Sequence, residues 1–191
     1  MKPTMTRRNA IATALSAATL ACFGFGFTRR ANAVPEPTKN STLVWIITFS
    51  PLGTRLERVH LPKIIKNEAE WSAQLDGAAY GVTRQAGTER PYSGAYWNLH
   101  TSGLYRCICC DTALFDSQTK FESGTGWPSF YQAIAPENVT EISDSSIGMT
   151  RTAVSCTRCD AHLGHVFDDG PQPTGRRYCM NSVALRFVPR P

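Results

Sequence analysis

Two Cys-x-x-Cys pairs, Cys107–Cys110 and Cys156–Cys159, constrain the fold of this chain more than any other feature. Two such turns can present four thiolates to one zinc ion, and a site with four protein ligands is structural because no coordination position stays open. Residues 111–155 separate the pairs, which is a longer interval than a simple zinc ribbon has. The metal would therefore join two distant parts of one domain.

Other interpretations of these cysteines remain open. In an oxidising compartment the two pairs could form two disulfides, and a single pair could exchange disulfides as in thioredoxin, although neither pair opens a helix here. One segment could also bind a metal alone, through side chains that recur every third residue: Cys156, Cys159, His162 and His165. Cys109 is surplus in every scheme with four ligands.

The first 33 residues resemble an export signal. Their charged residues are all basic: Lys2, Arg7, Arg8, Arg29 and Arg30. The Arg7-Arg8 pair resembles a twin-arginine signal, and Ala31-Asn32-Ala33 resembles a small-residue cleavage site. We expect cleavage after Ala33 and a periplasmic or secreted protein. The alternative is an uncleaved membrane anchor.

The net charge of the chain indicates nothing about its ligand. The formal charge is +5, and all of this excess lies in residues 1–33, so that the remaining chain has equal numbers of basic and acidic side chains. A neutral mature chain lacks the basic surface of a nucleic-acid-binding protein. We expect no nucleic-acid partner, no membrane span after processing, and a monomer.

The mature chain divides into a leading segment and one domain. Residues 34–60 predict a polar linker followed by an extra strand at Leu43–Phe49, and residues 61–188 predict one mainly β domain. Asn67 and Glu70 form a capping-box pattern that predicts a short helix ending near Leu75. Helical periodicity is scarce from Gly77 onward.

Short apolar or alternating runs follow that helix. Leu104–Cys107 and Ala113–Phe115 have the pattern of short strands, and the segment Arg177–Val188 alternates as one strand would. On such a strand, Val183, Leu185 and Phe187 would share the face of Cys179.

Cys179 differs from the other cysteines because it has no cysteine near it in the sequence. The period of a strand places Arg177, Cys179 and Asn181 on one face. A guanidinium group two residues away favours the thiolate, which is the nucleophilic form of cysteine. The alternative is a buried structural cysteine.

Three sequence blocks resemble the signatures of the B-type methionine sulfoxide reductases: Gly124–Phe130 (GTGWPSF), His162–Pro171 (HLGHVFDDGP) and Arg177–Ser182 (RYCMNS). The segments Gly87–Arg90 and Ser93–Gly94 and both Cys-x-x-Cys pairs follow the order of that family, over about residues 61–188. The resemblance implies a mainly β fold of two twisted antiparallel sheets with short peripheral helices. It also implies a structural zinc site of four cysteines away from the active site.

The same resemblance implies reduction of methionine-R-sulfoxide in oxidised proteins or peptides. Cys179 would be the nucleophile and become a sulfenic acid, and Arg177 would stabilise its thiolate. In the implied pocket, His162 or His165 is the general acid. Asn181 and both histidines form the polar side, and Trp127 forms the apolar wall. Two histidines three residues apart need a turn or bulge to share one pocket, and Gly164 permits one.

The chain departs from the family pattern at Thr125, where many members have a resolving cysteine. Cys109 is then the one internal partner left for Cys179, and it lies within a zinc-binding turn far from the expected nucleophile. We therefore expect an external reductant, either a thioredoxin-like protein or a small thiol. The alternatives to this enzyme are a zinc-ribbon-like binding module without catalysis and a thiol–disulfide exchanger.

Overall fold

Antiparallel strands make up most of the chain described by the computed structural model, which covers residues 42–145 and 151–190. The strands are β1 (Leu43–Phe49), β2 (Arg55–Pro62), β3 (Gly103–Cys107), β4 (Ala113–Asp116), β5 (Lys120–Phe121), β6 (Ser129–Phe130), β7 (Val139–Asp144), β8 (Arg151–Cys156), β9 (His162–Phe167), β10 (Arg177–Met180) and β11 (Leu185–Pro189). The helices are α1 (Glu68–Gln74) and α2 (Gly77–Gln85).

These strands form two main sheets and one hairpin. The larger sheet has the order β5-β6-β10-β9-β8-β7, the smaller sheet has the order β11-β3-β4, and β1 pairs with β2 alone. Every pairing is antiparallel. The predicted fold class, mainly β with two antiparallel sheets and short helices, is confirmed.

An aromatic core joins the two main sheets. Phe115 of the smaller sheet stacks on Phe130 of the larger one with ring centroids 4.5 Å apart, and Tyr105 meets Phe130 edge-on at 4.9 Å. Phe115 also contacts Tyr178 of β10. Because successive strand residues point to opposite faces, the burial of Tyr178 and Met180 in this core directs Cys179 away from it.

Helix α1 follows the prediction from its capping residues. The Asn67 side chain accepts a hydrogen bond from the Glu70 amide at 2.9 Å, and the Glu70 carboxylate accepts one from the Asn67 amide at 2.8 Å. This capping box satisfies two amides that the helix leaves without partners. The helix ends at Gln74, and Leu75 is its C-cap.

Helix α2 lies in a part of the chain where helical periodicity is scarce, and the sequence analysis did not predict it. It begins after Asp76, whose carboxylate accepts a hydrogen bond from the Ala79 amide at 2.7 Å. Glycines and Thr83 weaken its local helical preference, but Ala79, Val82 and Thr83 are buried on one side. Tertiary burial therefore stabilises a helix that the local sequence disfavours.

The predicted single strand over Arg177–Val188 is also wrong. β10 ends at Met180, a 3₁₀ turn occupies Ser182–Ala184, and β11 belongs to the other sheet. The Glu89 carboxylate accepts hydrogen bonds from the amides of Ser182 at 2.7 Å and Val183 at 3.1 Å. This carboxylate holds the turn, so the residues after it do not continue the face of Cys179.

The predicted extra strand is β1, and it forms a hairpin with β2 that covers residues 43–62. The side chain of Asn138 attaches this hairpin to the domain, since it bonds both backbone groups of Ile47, at 2.8 Å and 2.9 Å, and the carbonyl of Ala113 at 2.8 Å. The boundary expected between residues 60 and 61 lies inside β2.

The expected signal at residues 1–33 and most of the linker lie outside the described residues. Across residues 42–145 and 151–190, no helix combines the length and the apolar character needed to cross a membrane.

Candidate active site and metal centre

Cys179 lies at the centre of the larger sheet, between two strands. It is opposite Ser129 of β6 on one side and opposite His165 of β9 on the other. Directly opposed residues of antiparallel strands point to the same face of the sheet. The pairing therefore brings the thiol and the His165 ring together on the face that points away from the aromatic core.

A cavity of about 180 Å³ opens on this face. The cavity is lined by the Cys179 thiol, by polar and charged side chains and by the rings of Trp127 and Phe167. The full lining is Thr88, Trp127, Arg151, Gly164, His165, Phe167, Cys179 and Asn181. Four of the six expected catalytic and substrate-binding residues line it, namely Cys179, His165, Asn181 and Trp127. An apolar wall beside a thiol and a ring nitrogen suits a small substrate with one polar atom.

The Cys179 thiol has opposing influences on its protonation. Burial raises its pKa, while the Thr125 hydroxyl, the Arg177 guanidinium and the Ser129 hydroxyl act in the other direction. Thr125 Oγ1 lies 3.8 Å from Cys179 Sγ. Arg177 thus favours the thiolate as expected, but burial prevails, and the pKa of Cys179 lies above its ordinary value.

Arg177 is held by a partner that the sequence analysis missed. Its Nε and Nη2 donate to the two carboxylate oxygens of Asp169, each at 2.8 Å, and its guanidinium lies 4.4 Å from the Phe167 ring centroid. The guanidinium lowers the pKa of Asp169. The signal for this residue was the acidic pair that follows Phe167 within the second sequence block.

A β-bulge places His162 and His165 near one another. The register between β8 and β9 pairs Val154 with Gly164 and Ser155 with His162, so that Leu163 is the extra residue. The two histidine rings lie 5.4 Å apart between centroids. The bulge that two histidines three residues apart require is therefore present at Leu163-Gly164.

Gly164 is needed for this arrangement because it packs directly on β10, the strand that carries Cys179. A Cβ at this position would lie 2.1 Å from the Cys179 carbonyl oxygen, and the residue has a φ of +156°. No larger side chain fits there without moving Cys179.

The two histidines have different surroundings. His162 is buried, its Nε2 has no hydrogen-bond partner in the described part of the chain, and burial first and then His165 lower its pKa to about 4. His165 lines the cavity, and its Nε2 lies 2.9 Å from Asp144 Oδ2. His162 is therefore neutral at pH 7 and is not among the residues that line the cavity.

Asn181 bonds the protein backbone rather than the sulfur of Cys179. Its Oδ1 accepts from the Glu89 amide at 2.9 Å, and its Nδ2 donates to the Leu163 carbonyl at 3.0 Å. The Trp127 indole donates to the Glu89 carbonyl at 3.1 Å. The backbone of Glu89, which the sequence analysis named only as part of the segment Gly87–Arg90, thus connects Asn181 to the aromatic wall of the cavity.

The four cysteines of the two Cys-x-x-Cys pairs meet in one cluster. All four sulfur atoms of Cys107, Cys110, Cys156 and Cys159 lie within 4.8 Å of one another. Between the pairs, Cys107 Sγ lies 3.6 Å from Cys159 Sγ, and Cys110 Sγ lies 3.5 Å from Cys156 Sγ. A tetrahedral zinc site with Zn–S bonds of about 2.3 Å has sulfur atoms about 3.8 Å apart, whereas a disulfide needs about 2.05 Å.

This arrangement fits a metal ion and contradicts the two-disulfide alternative, since every described cysteine is free. Each pair is followed by a residue in the left-handed conformation, Asp111 with φ of 63° and Asp160 with φ of 56°. Their amides donate to the carbonyls of Cys107 and Cys156, both at 2.9 Å. The described residues contain no cluster that combines these cysteines with His162 or His165. Cys109 is buried beside the cluster but is not part of it.

Comparison with known proteins extends the similarity over most of the described chain. Residues 75–189 match the SelR domain family. The chain is 58% identical over 129 residues to the peptide methionine sulfoxide reductase MsrB of Herminiimonas arsenicoxydans, covering 68% of this chain and 94% of the relative. It is 58% identical over 130 residues to the protein of the same name from Pseudomonas fluorescens strain Pf0-1, covering 68% and 99%. It is also 58% identical over 121 residues to the chloroplastic peptide methionine sulfoxide reductase B1 of Arabidopsis thaliana, covering 63% and 60%.

Proposed function

The chain belongs to the SelR domain family, whose members similar to it are peptide methionine sulfoxide reductases, and we propose that it reduces methionine-R-sulfoxide in oxidised proteins or peptides through Cys179. The observation that carries this proposal is the cross-strand pairing of Cys179 with His165 at a cavity walled by Trp127. A nucleophile, a proton donor and an apolar surface for the substrate's methyl group are thereby adjacent.

In the first step, the sulfur of Cys179 attacks the sulfur of the sulfoxide. A sulfur–sulfur bond forms as the sulfoxide oxygen takes up a proton. This oxygen then moves to the Cys179 sulfur as the bonds from the methionine sulfur to the oxygen and to Cys179 break, which leaves a sulfenic acid on Cys179. Two electrons pass from the cysteine sulfur to the methionine sulfur, and the product is methionine. The Arg177–Asp169 pair supports this step because the guanidinium stabilises the thiolate.

We assign the general acid to His165 rather than His162. His165 lines the cavity and has a carboxylate 2.9 Å from its Nε2, whereas His162 is buried and neutral at pH 7. A general acid must be within reach of the atom that it protonates, and of the two histidines it is His165 that lines the cavity. His162 then supports the His165 ring at a distance of 5.4 Å between centroids.

In the second step, two external thiols reduce the sulfenic acid, releasing water and one disulfide. Thr125 Oγ1 lies 3.8 Å from Cys179 Sγ, and a hydroxyl cannot form a disulfide. Cys109 is buried, and its thiol contacts those of Cys107 and Cys159 in the cysteine cluster. A thioredoxin-like protein or a small thiol would supply the electrons.

The cysteine cluster would hold a zinc ion through Cys107, Cys110, Cys156 and Cys159. Bound zinc would supply structural stabilisation and no reaction step, because four thiolates complete its coordination. The cluster connects the turn between β3 and β4 with the turn between β8 and β9, so it joins the two main sheets.

For the remainder of the chain we propose the organisation that the sequence indicates. Residues 1–33 act as a twin-arginine-like signal that directs the protein to the periplasm or outside the cell, residues 34–60 lead into the domain, and residues 61–188 form the reductase domain. The mature protein is a monomer without a nucleic-acid partner. Sequencing the amino terminus of the exported protein tests this organisation, and Val34 is the expected first residue.

A turnover assay with methionine-R-sulfoxide and dithiothreitol separates this function from a binding module or a disulfide exchanger. We expect Cys179→Ser to abolish turnover while it leaves the fold and the metal content unchanged. Cys107→Ser should lose metal and folded structure together. Full turnover by Cys179→Ser would instead contradict the proposed function.

A further inference from the structure

Asp144 is the last residue of β7, and its side chain contacts two residues that line the cavity of the proposed active site, His165 and Arg151. Its Oδ2 is 2.9 Å from Nε2 of His165 and 3.5 Å from Nη2 of Arg151. The side chains of Asp144 and His165 are 22% and 15% exposed, so water screens this contact only in part. Neither Asp144 nor Arg151 belongs to the three sequence blocks that indicated the site.

This contact determines which nitrogen of His165 carries a proton in the neutral ring. A carboxylate can only accept hydrogen bonds, so the proton between the two groups belongs to Nε2. The other nitrogen, Nδ1, then has a free lone pair in the neutral ring and carries a proton only in the imidazolium.

The orientation of the ring is fixed from several elements. Charged or titratable groups face His165 from the same strand and from its neighbours: His162 on β9, Arg151 on β8, Asp144 on β7 and Cys179 on β10. Of these groups, Asp144 is the one carboxylate within hydrogen-bond distance of the ring in the part of the chain that the structure describes. Arg151 contacts the same carboxylate oxygen, which holds that oxygen in place.

We propose that Asp144 is a positioning residue for the general acid. By accepting the hydrogen bond from Nε2 of His165, it keeps Nδ1 as the nitrogen that serves the cavity, first as the proton donor to the sulfoxide oxygen and afterwards as a neutral acceptor. The ring exchanges protons at Nδ1 without rotating, because the proton on Nε2 stays with Asp144. This inference rests on the proposed function of His165.

The first test uses the resting enzyme and needs no turnover. A long-range ¹H–¹⁵N spectrum of the ¹⁵N-labelled protein reports the protonated nitrogen of each of its four histidines, and the difference spectrum of His165→Gln assigns His165. We expect a proton on Nε2 of His165 in the wild type. A neutral His165 with its proton on Nδ1 alone would overturn the proposal, whether or not the protein reduces sulfoxides.

The second test separates kcat from KM in Asp144→Asn, with Glu141→Gln as the matched control. Glu141 lies on the same strand, but its carboxylate bonds Arg176 and Tyr178. We expect Asp144→Asn to lower kcat at least about tenfold, and by no more than the roughly 10²- to 10⁴-fold that the general acid itself contributes, with little change in KM. Asp144→Glu should recover part of this loss, and Glu141→Gln should retain wild-type kcat.

Other results would contradict the proposal. A kcat of Asp144→Asn within twofold of the wild type would show that His165 needs no carboxylate. Equal loss of kcat in Asp144→Asn and Glu141→Gln would show that β7 matters only for the fold. If the wild type itself has no turnover, the proposed function fails, while the histidine spectrum still decides the role of Asp144 in fixing the ring.

Discussion

Cys179 and His165 are direct cross-strand neighbours on β10 and β9, and the glycine that precedes His165 packs against the carbonyl of Cys179. The proposed nucleophile and the proposed acid are thus positioned by backbone pairing between strands. Because register within a buried sheet is strongly specified, the distance between the two groups depends on the bulge at Leu163-Gly164.

Replacing Gly164 by alanine should disrupt this pairing. The added Cβ would approach the Cys179 carbonyl oxygen to 2.1 Å, so the two strands must separate or shift. Overpacking of this kind costs about 1–3 kcal/mol of folding free energy. We expect a lower midpoint of thermal unfolding and a loss of turnover. Gly77→Ala is the control, because no atom lies within 4 Å of a Cβ at that position. It should change neither the unfolding midpoint nor turnover. Equal effects of both substitutions would contradict this account.

A cysteine at position 125 should create an internal resolving residue. Thr125 Oγ1 lies 3.8 Å from Cys179 Sγ, so a sulfur at the same place needs only a small movement to form a disulfide. After one turnover without reductant, peptide mapping of Thr125→Cys should find a disulfide between the introduced cysteine and Cys179. Thr125→Ser should instead retain a sulfenic acid on Cys179, and absence of the disulfide in Thr125→Cys would count against the described loop.

The reactivity of Cys179 should depend on pH in the direction that burial imposes. The pKa of Cys179 lies above its ordinary value, and Arg177 is one of the groups that opposes this shift. The thiolate fraction of Cys179 therefore increases with pH, and the midpoint of this increase lies at alkaline pH. Removing the guanidinium in Arg177→Met removes a stabilising charge from the thiolate, so the midpoint should move to higher pH.

Iodoacetamide alkylation of Cys179, followed by mass spectrometry as a function of pH, measures this midpoint. Arg186→Met is a suitable control, since Arg186 is on β11 and bonds Asp111. A midpoint that moves to lower pH in Arg177→Met would be inconsistent with the structure.

Substitutions of two cysteines in the same turn should affect zinc binding differently. Cys110 belongs to the four-sulfur cluster, whereas Cys109 is its buried neighbour outside the cluster. Structural zinc contributes about 10–16 kcal/mol of binding free energy in small zinc domains. We expect Cys110→Ser to lose zinc and cooperative unfolding, and Cys109→Ser to keep one zinc ion per chain by elemental analysis. If Cys109→Ser lost zinc while Cys110→Ser kept it, Cys109 rather than Cys110 would be the zinc ligand.

The features that local sequence determines were predictable. The Cys-x-x-Cys turns, the Asn67–Glu70 capping box and the strand Leu43–Phe49 each depend on residues close together in the chain. The need for a bulge between the histidines also follows from the period of a strand, and Gly164 marks its position.

The features that distant residues determine were missed. Helix α2 forms because Ala79 and Val82 are buried by other elements, and the strand after Arg177 is interrupted because Glu89 binds the amides that follow it. The pKa of Cys179 likewise depends on burial, which a neighbouring arginine in the sequence does not reveal. Local charge and periodicity cannot supply these tertiary contributions.

The most direct test of the account is peptide mapping by mass spectrometry after one turnover with methionine-R-sulfoxide, in the absence of reductant and with a sulfenic-acid trap. We predict one equivalent of methionine and one trapped sulfenic acid, located on Cys179, with no modification of Cys109. Formation of methionine with Cys179 unmodified, or with a Cys109–Cys179 disulfide, would contradict the proposed mechanism.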